Sequence, residues 1–211
     1  AGVFTSTGVL TFDGTAAQAF NITGSTFTDI TVNNTGPSTV TPNGALNIAN
    51  LTLTAGTLVM AGNQLNVSGN WASTAGLLTS SGLAILDGGG AQAFNPVGST
   101  LTDLTVNATG PVNLGGALDV DNDLTLTAGT LAAAANGVNI AGDWVRTAGL
   151  FTSSGLVTFD GTGAQAFNGD GATFTNLTIN STGPVTLGGA LDVDNDLTLT
   201  AGTLAAGANG V

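Results

Sequence analysis

The stretch LGGALDVDNDLTLTAGTLAA, Leu114–Ala133, returns without a change at Leu187–Ala206. Within it, apolar and polar residues alternate over short runs such as Leu118-Asp119-Val120 and Leu124-Thr125-Leu126, and Gly, Asn or Asp separates the runs. A period of two belongs to a strand with one buried side, and such a run bounded by turn formers is a short strand. The signature continues on both sides, with LTV from Leu104, VNL from Val112, VNI from Val138 and LVTF from Leu156. No segment holds a 3.6-residue apolar period with caps, so helix is not expected.

Outward from this block the whole chain is self-similar. AQAF stands at Ala17–Phe20, Ala91–Phe94 and Ala164–Phe167, and LTLTAGTL at Leu51–Leu58, Leu124–Leu131 and Leu197–Leu204. Trp71 and Trp144 hold equivalent places in GNWASTAG and GDWVRTAG. The 211 residues read as units of about 73, spanning 1–74, 75–147 and 148–211, the last incomplete. Ala1–Gly14 matches Ala148–Gly161, so the chain opens partway through a unit, and neither end reads as the polar cap of an isolated solenoid. The expectation is one continuous segment of a longer array.

A finer period lies inside the unit. Asp103-Leu104, Asp123-Leu124 and Asp143-Trp144 are spaced by about 20 residues, with short strands and turns between them. This predicts an all-β chain, a parallel β-solenoid whose coils of about 20 residues each lay one strand on each of three faces. Coils then stack at the ~4.8 Å strand spacing. Leu, Val and Phe point inward, Thr, Asn and Asp outward, and Gly and Asn turn the corners. A β-sandwich is the rival, but its strands are longer and each unit would have to be a tiny separate domain. A unit of 73 does not divide into 20s. Three coils with one enlarged and four shorter ones both remain open, with the surplus between Gly161 and Asn176.

Composition narrows the function. The thirteen acidic residues are all Asp, Arg146 is the one basic residue, and the net charge is −12. Without His or Cys there is no ordinary zinc site, thiol nucleophile, Ser-His-Asp triad or disulfide framework. One cation cannot neutralise a row of phosphates, so nucleic acid and anionic membranes are not expected partners. No apolar run approaches the ~20 residues of a membrane span. An apolar fraction of 42% argues against disorder, and 33 Gly without a three-residue period, beside 5 Pro, argue against collagen. An acidic, Lys-free surface rich in Thr, Asn and Gly points to a secreted prokaryotic chain outside the cell or on its surface.

Units of the form GxLxFDGxxAQxF, then FTNLTINxTGPVTLGGALxVxxDLTLTAGTL, then VNIAGDW, resemble the repeats of filamentous-haemagglutinin-like adhesins and related autotransporter passengers. The resemblance covers the whole chain. It implies a right-handed parallel β-helix in a large secreted bacterial surface protein used for attachment, spacing or matrix building. The near-perfect repetition departs from a passenger that carries specialised binding loops.

One constellation bears on chemistry. Asp119, Asp121 and Asp123, and one unit later Asp192, Asp194 and Asp196, open like a calcium loop with hard oxygen donors. The Gly at the sixth position and the distal Glu are missing, and the first unit has Asn47 and Asn50 instead. The competing reading is outward residues running from a strand into a turn. Paired carboxylates also hydrolyse glycosides, but exact repetition without Tyr or a second Arg does not describe a unique active site, so no enzyme or cofactor is expected. Thr-x-Thr pairs, for example Thr52–Thr54 and Thr125–Thr127, would order water or ice if they aligned on one flat face. They recur once per unit rather than once per coil. Asn-x-Ser/Thr occurs at Asn21, Asn33, Asn50, Asn66, Asn107, Asn176 and Asn180, several of them by chance in such a composition. Trp71 and Trp144 stand where other coils have Leu, and so read as core residues. The role expected is a non-catalytic extracellular fibre, stalk or adhesin shaft that self-assembles end to end. Its partners would be copies of itself, neighbouring repeats, or extracellular polysaccharide, and the alternative is a carbohydrate- or ice-binding face.

Overall fold

The computed structural model describes residues 3–22, 24–36 and 38–211, and they form one sheet of 20 strands wound into about ten coils. Among the described residues there is no helix, and the strand pairs are parallel, each between one coil and the next. The fold is a parallel β-solenoid with three faces, as the strand spacing predicts.

Three inward ladders define the faces. On face I, Leu10, Ile30, Leu51, Trp71, Phe94 and Leu114 stack in register. On face II the later coils stack Leu101, Val120, Ile140, Phe159, Ile179 and Leu199. Face III stacks Leu46, Leu65, Ala84, Leu104, Leu124, Trp144, Phe167 and Leu187. Nearly all of these side chains are shut away from water, and burial of such surface at ~25 cal/mol per Å² drives the winding. Both Trp lie in the core. Trp144 on face III packs edge-on against Phe151 at 4.8 Å and Phe174 at 5.4 Å on face I and Phe167 at 5.8 Å on its own face, and its ring centroid lies 6.3 Å from that of Phe159 on face II, so all three faces meet there.

Counting coils from Val9 shows how the unit relates to the coil. AQAF falls on face II of coil 1, face I of coil 5 and face III of coil 8. LTL of LTLTAGTL falls on face I of coil 3, face III of coil 6 and face II of coil 10. Each step passes eleven strand positions, which is three coils and two further faces. Neither three coils with one enlarged nor four shorter ones describes the unit. It is three and two-thirds coils, so successive units are turned by a third of a revolution and raised by about 18 Å. Coils still differ in length: most stack at 19–22 residues, but Phe94 lies above Trp71, and Phe167 above Trp144, after 23.

The corners require particular backbones. Gly56, Gly129 and Gly202, equivalent in the three units, all have φ of +76°. A Cβ on Gly129 would also come within 2.6 Å of the Ala108 carbonyl oxygen in the coil below. Ala61 and Ala134 adopt φ of 47° and 51° at a second corner, where the third unit has Gly207 at 61°.

Candidate functional site

The two Asp triplets do not come together. Asp119 faces outward on face II of coil 6, Asp121 lies in the corner after it, and Asp123 opens the strand on face III. Asp192, Asp194 and Asp196 lie on coil 10, running from face I into face II. Identical sequence thus sits on different corners of the rod.

Around the first triplet, Asp121, Asp123, Asp143 and Asp160 line an open groove floored by Gly142 and Gly161. Partial desolvation against the neighbouring coils raises the Asp119 carboxyl above its ordinary value, and the charges of Asp121 and Asp160 add to the rise. Desolvation raises Asp160 as well; the field of Asp121 adds to this and a backbone hydrogen bond opposes it. Among the described residues no three acidic side chains converge closely enough to hold a metal ion.

Part of this acidic set has a structural task. Asp123 Oδ1 accepts the Asp143 backbone N–H at 2.7 Å, and Asp143 Oδ1 accepts that of Ala166 at 2.7 Å. Asp103 Oδ1 accepts from Asn122 Nδ2 at 2.7 Å and from the Asp123 N–H at 3.2 Å. Each carboxylate therefore splices its corner to the next coil. The first unit builds the same splint on another corner, where Asp29 accepts from Asn50 Nδ2 at 2.7 Å, Asn50 from the Asn70 N–H at 2.8 Å, and Asn70 from the Ala93 N–H at 2.8 Å. In the third unit Asn176 accepts from Asn195 Nδ2 at 2.7 Å. The chain uses Asn and Asp interchangeably here, because the splint needs only a side-chain oxygen acceptor.

The buried Gln of AQAF escaped the sequence reading. Gln92 Nε2 donates to the carbonyls of Val67 at 3.0 Å and Gly69 at 2.7 Å, and its Oε1 accepts the Gly88 N–H at 3.0 Å. Gln165 repeats the donation to Ile140 at 3.1 Å and Gly142 at 2.7 Å. The signal was present, since residues two apart on a strand share a side and Phe94 and Phe167 point inward. These amides bracket the corners from inside.

The first Thr of each LTLT pair, Thr52, Thr125 and Thr198, joins single outward Thr of neighbouring coils in shallow patches. Thr11, Thr31 and Thr52 stack on face I, Thr105 and Thr125 on face III, and Thr158, Thr178 and Thr198 on face II. No single face carries them through. Arg146 donates its Nε–H to the Gly149 carbonyl at 2.6 Å. It occupies the place of Ser73, whose hydroxyl accepts the Trp71 indole N–H at 3.0 Å, and among the described residues the Trp144 indole has no such partner. Comparison with protein-family models, curated proteins and solved structures gives no match.

Proposed function

We propose that this chain is a repetitive segment of the shaft of an extracellular fibre, stalk or adhesin, a non-catalytic element whose length is set by the number of units. The observation that carries the reading is the rotation of each unit by one face. Splints, Thr patches and acidic corners are dealt in turn to all three sides, so no face is elaborated for a single ligand. A rod needs this uniformity; a carbohydrate- or ice-binding plane needs the opposite, one continuous face. Backbone pairing along the axis supplies stiffness, and a terminal coil with an open strand edge can pair with a following coil of the same chain or of another copy.

Cryo-electron microscopy of the protein from the cells that make it tests this. Continuous rods outside the cell, with a rise of about 18 Å and a 120° turn per unit, are the expected result. A protein confined to the cytoplasm, or one that occurs only as discrete particles around a bound small molecule, would overturn it.

A further inference from the structure

We infer that Asn33, Asn107 and Asn180 are acceptor sites for an N-linked oligosaccharide, one per unit, projecting from three different corners of the rod. The inference rests on the extracellular placement proposed above, and it adds a modification to it.

Among the Asn-x-Ser/Thr motifs, one position alone is kept in all three units: Asn33-Asn34-Thr35, Asn107-Ala108-Thr109 and Asn180-Ser181-Thr182. The outer residues of the triplet hold while the middle one changes. The other matches do not recur. Asn50 becomes Asp123 and Asp196, and Asn176 corresponds to Asp29 and Asp103. Asn66 recurs as Asn139, but Ala141 then stands where the hydroxyl residue should be, and Pro96 follows the counterpart of Asn21. The chain exchanges Asn for Asp freely where it needs only an oxygen acceptor. At this corner all three units keep both the amide and the hydroxyl two residues on.

The surroundings give the amide no structural reason. In each unit the Asn is exposed, the middle residue buried and the Thr exposed. None of the three Asn has the left-handed backbone that favours Asn at turns, and among the described residues no hydrogen bond engages their side chains. The residues in register in the next coil are Ala55, Ala128 and Ala201, whose methyl groups offer the amide no hydrogen-bond partner on that side. By contrast, Asn50, Asn66 and Asn176 already accept hydrogen bonds through their side-chain oxygens.

The motif is that of an amide acceptor, with the hydroxyl two residues on as part of the recognition. The transfer joins the Asn side-chain nitrogen to the anomeric carbon of a sugar donor activated as a polyprenyl diphosphate. The anomeric C–O bond to the donor breaks, the lipid diphosphate leaves, and the amide nitrogen gives up one proton to the transferase. Because the acceptors fall on coils 2, 5 and 9, after face I, face III and face II in turn, the glycans form a three-fold spiral with a step of about 18 Å.

The test is peptide mapping by mass spectrometry of protein recovered from the cells that make it, alongside fractionation of those cells. The chain lacks Lys and has one Arg, so an Asp-specific protease replaces trypsin. Sugar on Asn33, Asn107 and Asn180, with N107Q abolishing one glycopeptide and leaving the other two, is the expected result. Protein outside the cell with these three peptides unmodified, or with sugar only elsewhere, overturns the inference and leaves the shaft standing. Protein confined to the cytoplasm overturns both.

Discussion

At Asn34 the amide is buried in the coil interior and neither side-chain polar atom is bonded among the described residues, whereas the second unit has buried Ala108 there and the third has Ser181, whose hydroxyl donates to the Gly161 carbonyl at 2.8 Å. An unpartnered buried amide costs about 1–3 kcal/mol. Asn34→Ala is therefore expected to raise the melting temperature by about 3 °C in a chain of this size, measured by calorimetry; a lower value would mean that the amide has a partner. The same comparison between units explains Ala61 and Ala134, which hold a left-handed backbone where Gly207 adopts it without a Cβ. Copies of one unit thus serve as each other's mutants. The alternation of Leu, Val and Phe made the core residues readable from sequence. The interior place of Gln92 was equally implied by that alternation, but polarity masked it.

The corner splint is the element that the Asp spacing announced without revealing its purpose. Asp103, Asp123 and Asp143 marked the coil length correctly because each begins the same strand one coil later. What they do depends on side-chain direction, and no spacing in the sequence encodes that. The expected consequence is specific. Asp123→Asn keeps an oxygen acceptor for the Asp143 N–H and leaves stability nearly unchanged, as Asn50 does in the first unit. Asp123→Ala orphans that N–H and costs about 1–2 kcal/mol by denaturant titration. Equal losses in the two variants would show that charge, not acceptance, matters there.

For the whole rod, thirteen carboxylates against one guanidinium leave little ion pairing to lose in acid. Asp119 and Asp160 bind protons more tightly in the folded chain than at the ordinary value of 3.8, so the folded state holds more protons than the unfolded one just above that value. Stability therefore rises as pH falls through their raised values toward 3.8, the reverse of the usual carboxylate behaviour. The melting temperature is expected to climb between pH 7 and pH 4, and sodium chloride to raise it at pH 7 by screening the −12 charge. Calcium at matched ionic strength separates screening from a bound ion: an excess rise that Asp121→Asn abolishes would assign the Asp119–Asp121–Asp123 corner a metal after all. The unit period and the coil period were each legible in the sequence. Their ratio lay between three and four, and a whole number of coils was the expectation, because nothing marks faces in a sequence; stacking shows instead that eleven strand positions make a unit. That ratio carries an evolutionary consequence. Since Leu114–Ala133 and Leu187–Ala206 are identical, unequal recombination between the underlying repeats can add or delete a whole unit with every stacking partner preserved. Each such event lengthens or shortens the protein by a fixed step and swings whatever lies at its tip through a third of a circle, so copy number sets both reach and heading.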